Sequence, residues 1–104
     1  MKRYSFKMKL KPGCAQEYKR RHENIWPELK QLLSNVGIQD YSIYLDKDSH
    51  ILFASQELPE NFDDKKLTEN PVMKKWWKYM ADLMETNADY SPVCTELKEM
   101  FYME

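Results

Sequence analysis

The residues of this sequence best suited to proton chemistry on a small molecule are Tyr18, His22 and Trp26, which lie four positions apart. In a helix, side chains four apart lie on the same face. Phenol and imidazole groups donate and accept protons, and an indole offers a flat apolar wall. Pro27 either kinks this helix or begins a new turn, so Trp26 extends the face only if the helix runs straight. The segment predicts a pocket lining for a small polar ring.

The same segment permits a simpler interpretation, because it also carries Lys19, Arg20, Arg21 and Glu23. A helix so rich in charges has a solvent-exposed face, and His22 can equally belong to that face. The geometry of the folded site separates these two interpretations.

Composition and charge restrict the class of protein. The chain has 104 residues, which is enough for one domain over residues 1–104. It is 42% hydrophobic and 32% charged, with a net charge of −1 and both signs interspersed. This composition argues against disorder, and the charge pattern argues against a nucleic-acid or membrane-surface partner. The apolar runs are too short to cross a bilayer and no signal-peptide core is visible, so we expect a cytoplasmic protein.

The residues that hold metals and nucleotides in other proteins are sparse. Cys14 and Cys94 are the two cysteines, and in a cytoplasmic protein we expect free thiols rather than a bridge. With His22 and His50 as the only histidines, the spacing matches no structural zinc site. The sequence has two glycines and no glycine-rich phosphate loop. We therefore expect no metal and no other cofactor.

The polar and apolar pattern also predicts the elements that would position these residues. Alternation predicts four strands, at residues 3–10, 40–46, 50–58 and 95–102. Intervals of three and four predict helices at residues 14–35 and 61–69, and a further helix that begins with Asn70 and Pro71. Gly37 is placed to end the first helix in the left-handed conformation.

The order of these elements predicts a ferredoxin-like α+β sandwich of the βαββαβ type, with a four-stranded antiparallel sheet and its helices on one face. Such a sheet leaves its second face uncovered. Tyr44 on the outer side of the second strand, and aromatic residues near the C-terminus, suggest that a partner covers it. A homodimer that packs sheet against sheet, a dimeric α/β barrel, is the economical arrangement.

Three elements of this fold could face one cavity between helices and sheet. The first helix contributes Tyr18 and His22, the helix-covered face of the second strand contributes Tyr41, and the last helix contributes Trp76 and Trp77. Two tryptophans at helical spacing are usually core residues, but adjacent helical side chains point about 100° apart, so one of them can wall a cavity. This set suits a sugar, because the apolar face of a sugar stacks on indole while phenols bond its hydroxyls.

The whole chain resembles the L-rhamnose mutarotase family, a group of small cofactor-independent sugar epimerases. The resemblance rests on four separated motifs in order, at residues 17–29, 41–46, 76–80 and 91–102. It implies a ferredoxin-like fold, a dimer and a small-molecule sugar as substrate. It also implies that His22 is the proton donor and that four residues contact the sugar, namely Tyr18, Tyr41, Trp76 and Trp77. Residues 56–68 are less distinctive and carry none of this implied site.

The resemblance implies isomerase chemistry, in which the α and β anomers of L-rhamnopyranose interconvert by acid–base ring opening and reclosure. Histidine suits that task because it titrates near neutral pH. Two other classes stay open on the residues alone. One is a cofactor-independent monooxygenase on the same dimeric scaffold, and the other is a non-catalytic interaction module with Trp76 and Trp77 in its core. Fold does not separate these three functions.

Overall fold

The computed structural model describes all of residues 1–104 and contains one antiparallel sheet of four strands. Its strands are β1 (Lys2–Lys9), β2 (Gln39–Asp46), β3 (Ile51–Leu58) and β4 (Thr95–Leu97). Its helices are α1 (Ala15–Glu23), α2 (Pro27–Asn35), α3 (Asp64–Thr68) and α4 (Pro71–Met80), and a 3₁₀ turn (Ala81–Leu83) follows α4.

The sheet has the strand order β2-β3-β1-β4, so the first and third strands lie at its centre. Phe6 and Met8 of β1 lie on the same face as Leu52 and Ala54 of β3, to which they are paired, and all four side chains are buried. The helices cover this face, and the predicted α+β ferredoxin-like sandwich is confirmed. No helix is long and apolar enough to cross a membrane.

The predicted helix at residues 14–35 is in fact two helices, and Pro27 is the reason. Proline has no N–H to donate to the carbonyl of Glu23, and its ring disfavours a helical conformation in the preceding residue. Trp26 accordingly has extended backbone angles, with φ −61° and ψ 132°, and Pro27 begins α2 as its first residue. His22 therefore lies in the last turn of α1. The prediction of one helix over residues 14–35 is wrong, and of the two alternatives for Pro27 the start of a new helical turn is the correct one.

The end of α2 follows the prediction for Gly37, which has a φ of +92°. The N–H of Gly37 donates to the carbonyl of Ser34, and the N–H of Ile38 donates to that of Leu33. These two bonds form a Schellman motif, which satisfies carbonyls that the end of the helix leaves free. The start of α4 is also as predicted, because the side chain of Asn70 accepts a hydrogen bond from the N–H of Val72.

Three predicted boundaries were wrong. His50 belongs to the turn before β3, where its φ of +60° is incompatible with a strand. The short helix begins at Asp64 rather than at residue 61. Strand β4 ends at Leu97 rather than at residue 102, since it pairs only with Ser5 to Lys7 of β1. The apolar residues after it, Met100 and Phe101, extend into solvent instead of packing on the sheet.

Candidate active site

An open cleft lies between the helices and the inner face of the sheet, and its volume is about 1680 Å³. That is more than the 300–1,000 Å³ typical of small-molecule pockets, so one sugar ring would fill only part of it. All five residues singled out in the sequence line this cleft: Tyr18, His22, Tyr41, Trp76 and Trp77. The fold therefore brings together residues from α1, β2 and α4 that lie far apart in the chain.

His22 faces the cleft with a defined arrangement of its two ring nitrogens. Its Nδ1 lies 3.0 Å from the backbone carbonyl oxygen of Tyr18. Because a carbonyl oxygen only accepts hydrogen bonds, Nδ1 carries the proton and Nε2 has a free lone pair when the ring is neutral. Burial lowers the pKa of His22 below its ordinary value of 6.5, and the bond to Tyr18 opposes this effect without cancelling it. The resting imidazole at neutral pH is therefore a base.

Aromatic rings fix the imidazole from two sides. The ring of Tyr18 is stacked on it, with centroids 4.4 Å apart and an interplanar angle of 29°. The indole of Trp76 meets it edge to face, at 5.4 Å and 88°. This spacing of Tyr18 and His22 is the one that a single helix face provides, as the sequence indicated. His22 consequently belongs to the cleft and not to the charged outer face of α1.

Arg21, the neighbour of His22, joins α1 to the end of α4. Its guanidinium bonds Glu17 at 2.7 Å and Asp82 at 2.9 Å, and it donates to the backbone carbonyl of Tyr79 at 2.7 Å. Both arginines near Glu17, Arg20 and Arg21, hold the pKa of that carboxyl at about 2. The paired charges of Glu17, Arg21 and Asp82 thus position the helix that carries His22, and none of these three residues lines the cleft.

Two phenols, those of Tyr18 and Tyr41, line the cleft together with the imidazole. Burial is the main cause that raises the pKa of Tyr18 and of Tyr41, and the neighbouring phenol raises that of Tyr18 further. Both remain neutral at physiological pH and are able to donate and accept hydrogen bonds. Tyr41 is 40% exposed although protein surrounds it, because solvent reaches it through the open cleft. Alternation with Ile43 and Leu45 predicted that Tyr41 faces the helices, and all three residues line the cleft, although β2 has a bulge between Gln39 and Ser42.

The two tryptophans of α4 have different surroundings. Trp76 is only 6% exposed and packs in the core, where it touches His22, Trp26 and Tyr79. Trp77 is half-buried at the mouth of the cleft and makes no aromatic contact of its own. Trp26 does not line the cleft, since the break before Pro27 turns it against the far side of Trp76. The expectation that Trp26 extends the face of Tyr18 and His22 was conditional on a straight helix and fails with it.

Among the lining residues that sequence reasoning missed, Gln56 is the one polar residue that is buried. Gln56 of β3 lies on the floor of the cleft and is paired with Tyr4 of β1. Alternation with Ala54 and Leu58 places residue 56 on the buried face of the strand. An apolar core residue would show the same alternation, so the pattern does not indicate a role in the cleft. Only the structure shows that the amide has no partner.

The fold is of the α+β class, and its cleft combines a neutral imidazole base with two phenols and an indole. These groups suit acid–base chemistry on a small molecule rich in hydroxyl groups. A family model described as L-rhamnose mutarotase matches residues 3–103. The L-rhamnose mutarotase of Phocaeicola vulgatus is 54% identical to this chain, and that of Bacteroides thetaiotaomicron is 53% identical. Both alignments span 104 residues and cover each chain completely. The crystal structure of the L-rhamnose mutarotase of Formosa agariphila is 48% identical, covers both chains completely and superposes with a TM-score of 0.93. The chain belongs to the L-rhamnose mutarotase family and is therefore an isomerase.

Proposed function

We propose that this protein interconverts the α and β anomers of L-rhamnopyranose, with His22 as its acid–base residue. The observation that carries the assignment of His22 is the bond from Nδ1 to the carbonyl of Tyr18, which leaves Nε2 as a free base in the cleft. Membership of the L-rhamnose mutarotase family supports the choice of reaction and sugar.

The proposed reaction requires one proton to change places. The neutral Nε2 of His22 takes the proton of the anomeric hydroxyl, the C1–O1 bond becomes a carbonyl, and the C1–O5 bond breaks. The protonated imidazole then gives the proton to the ring oxygen, which becomes the hydroxyl of the open aldehyde. After rotation about the C1–C2 bond, the reverse steps close the ring on the other face. One imidazole serves both directions because both oxygens are bonded to C1.

We assign the remaining lining residues to holding the sugar. The neutral phenols of Tyr18 and Tyr41 bond its hydroxyls, and each remains uncharged while the proton moves. The half-buried indole of Trp77 stacks on the apolar face of the ring and its methyl group. Trp76 presents an edge to His22 and keeps the imidazole in place more than it binds sugar.

Exchange NMR on an L-rhamnose solution tests this proposal, because it reads magnetisation transfer between the two anomeric proton signals. The wild type should accelerate the transfer, and His22→Asn should lower the catalysed rate by roughly 10²–10⁴, the usual contribution of general acid–base catalysis. His50→Asn is the matched control, since His50 lies in the turn before β3 and outside the cleft. An unchanged rate in a folded His22→Asn variant would remove His22 from the mechanism.

The enzyme is expected to need no metal or other cofactor, because the imidazole supplies and takes the only proton that moves. Activity that disappears with EDTA and returns with a divalent ion would contradict this part of the proposal.

We further propose that the protein is a homodimer. The outer face of its sheet is uncovered and carries the cross-strand pair Tyr44 and Phe53, of which Tyr44 is 68% exposed. Met100 and Phe101 of the C-terminal segment are also exposed, while Arg3 anchors that segment by a salt bridge to Glu99. A second copy would bury these apolar side chains. Light scattering should give about twice the mass of 12.6 kDa, and a monomer at micromolar concentration would refute the dimer.

We also infer a cytoplasmic location, where a sugar isomerase meets its substrate and where free thiols persist. Cys14 and Cys94 are both free in the structure. Cell fractionation tests this inference, and recovery of the protein outside the cytoplasmic fraction would contradict it.

The two other classes lack support. A monooxygenase would show oxygen uptake with a quinol, and none of the relatives named above is an oxygenase. An interaction module would need Trp76 and Trp77 both in the core, whereas Trp77 lines the mouth of an open cleft.

A further inference from the structure

Gln56 is the one polar or charged residue among the fifteen buried residues of the chain, and it is only 7% exposed. Its neighbours on the inner face of β3, Ala54 and Leu58, are both apolar and buried. A buried amide costs about 1–3 kcal/mol when it has no hydrogen-bond partner, so its presence in this core needs a reason.

The amide of Gln56 has no partner within the chain. None of the side-chain hydrogen bonds involves Gln56, either as donor or as acceptor. At the same time, no buried side-chain nitrogen or oxygen is enclosed without a partner. The amide atoms therefore reach the open space of the cleft, whose lining includes Gln56. They are directed at whatever the cleft holds.

The position of Gln56 connects it to the proposed reaction site. Gln56 is paired with Tyr4 of β1 on one side, and on the other side it faces the bulge of β2 that carries Tyr41. Tyr41 lies close enough to Tyr18 to raise the pKa of that phenol, and Tyr18 stacks on His22. The amide thus lies on the same floor as the phenols that flank the imidazole.

We propose that Gln56 is a specificity-determining residue that hydrogen-bonds two adjacent hydroxyls of the sugar. This inference rests on the proposed anomerase function. A primary amide presents a donor and an acceptor side by side, so it donates to one hydroxyl and accepts from the next. The sheet holds its backbone in place, since β3 is a central strand and Gln56 is paired with Tyr4 of β1, which makes the amide selective for the position of the hydroxyls. Neither the anomeric hydroxyl nor the ring oxygen is required for this contact.

The test compares the wild type with Gln56→Met, which keeps the length of the side chain and removes the amide. Each is measured by exchange NMR on L-rhamnose and on its 2-, 3- and 4-deoxy analogues. The wild type should lose about 3- to 10-fold in kcat/KM on the analogues that lack a contacted hydroxyl. Gln56→Met should lose a similar factor on L-rhamnose, mainly in KM, and should show no further loss on those same analogues.

Two controls separate this role from a structural one. Ser55→Ala alters the neighbouring residue, which pairs with Ser5 and Ser42 on the outer face of the sheet, and it should change neither constant. The melting temperature of Gln56→Met should equal or exceed that of the wild type, because the amide makes no hydrogen bond within the chain and an apolar side chain of the same length packs against the buried neighbours Ala54 and Leu58. If Gln56→Met does not fold, Gln56→Glu replaces it, and its rate loss should again be confined to sugars that carry the contacted hydroxyls.

The outcomes are distinguishable. A wild type that does not accelerate anomer exchange refutes the proposed function itself. If the wild type is active, an equal loss on every sugar, or a lower melting temperature with no change in selectivity, would show that Gln56 is structural and would overturn the proposal.

Discussion

Replacing Trp76 and Trp77 separately by Phe should produce two different defects, although the residues are adjacent in the chain. Trp76 is 6% exposed and has aromatic contacts at 5.1 Å to Trp26, 5.4 Å to His22 and 5.7 Å to Tyr79. Trp77 is half-buried and lies at the mouth of the cleft. We therefore expect Trp76→Phe to affect stability and kcat, and Trp77→Phe to affect KM.

The size of each effect follows from these surroundings. Phe in place of Trp76 leaves a cavity and loses part of several aromatic contacts, which together cost about 2–3 kcal/mol. For a domain of this size, that corresponds to a fall in Tm of roughly 10–20 °C. Trp77 loses less buried area, so its variant should melt within a few degrees of the wild type. Loss of its stacking surface should raise KM roughly 5- to 10-fold, which corresponds to about 1 kcal/mol.

Thermal melting and exchange NMR on L-rhamnose, measured on the same samples, separate these outcomes. Trp26→Phe is the matched control, because Trp26 packs on Trp76 and Tyr79 but does not line the cleft. It should lower Tm and leave KM unchanged. A Trp77→Phe variant that melts much earlier and keeps the wild-type KM would place Trp77 in the core and refute this assignment.

Two further predictions concern His22 and the glycines. The pKa of His22 in the folded protein lies below 6.5, so the catalysed rate, corrected for the uncatalysed one, should be close to its maximum at neutral pH and fall as the pH drops below 6.5 through the lowered value. The unfolded chain takes up the same proton at the ordinary pKa of 6.5, so the stability linked to the neutral imidazole should be present above that pH and be lost as the pH falls from there through the folded pKa. A rate already halved at pH 7 would contradict the lowered pKa. Gly37→Ala should lower the free energy of unfolding by about 2 kcal/mol or more, because φ is +92° and a Cβ would lie 2.7 Å from Cγ of Pro59. Gly13→Ala is the matched control and should lower it by only about 1 kcal/mol, because φ is +80° but no atom lies near the added Cβ. Equal Tm values for the two variants would show that Pro59 moves away freely.

Local patterns predicted the fold because each depends on physics that acts within a few residues. Alternation in β1 placed Phe6 and Met8 on the buried face, and Gly37 marked a helix end that only a positive φ allows. The C-terminal segment shows the limit of such reasoning. Met100 and Phe101 have the composition of a strand, but pairing with β1 ends at Leu97 although β1 extends back to Lys2, and composition does not show where pairing stops.

The candidate site was predictable where one helix carries it and less so where several elements meet. The spacing of Tyr18 and His22 indicated their contact, and the structure places the rings 4.4 Å apart. The direction of Trp76 relative to Trp77 depends on how α4 is rotated against the sheet, which the helical period does not fix. Gln56 was missed because the sequence does not show whether a polar residue on a buried face has a partner.

Two side chains that face the cleft, His22 and Gln56, lower the stability of the folded protein relative to apolar residues in the same places. Burial opposes protonation of His22, and the largely buried amide of Gln56 makes no hydrogen bond within the chain. Arg21, in contrast, is fully paired with Glu17, Asp82 and the carbonyl of Tyr79, away from the proposed reaction. The chain thus pairs the charges that hold its helices together and leaves Nε2 of His22 and the amide of Gln56 available to a ligand in the cleft. A sugar that bonds those groups stabilises the folded state as it binds, and selectivity for its hydroxyls follows from the same unpaired groups.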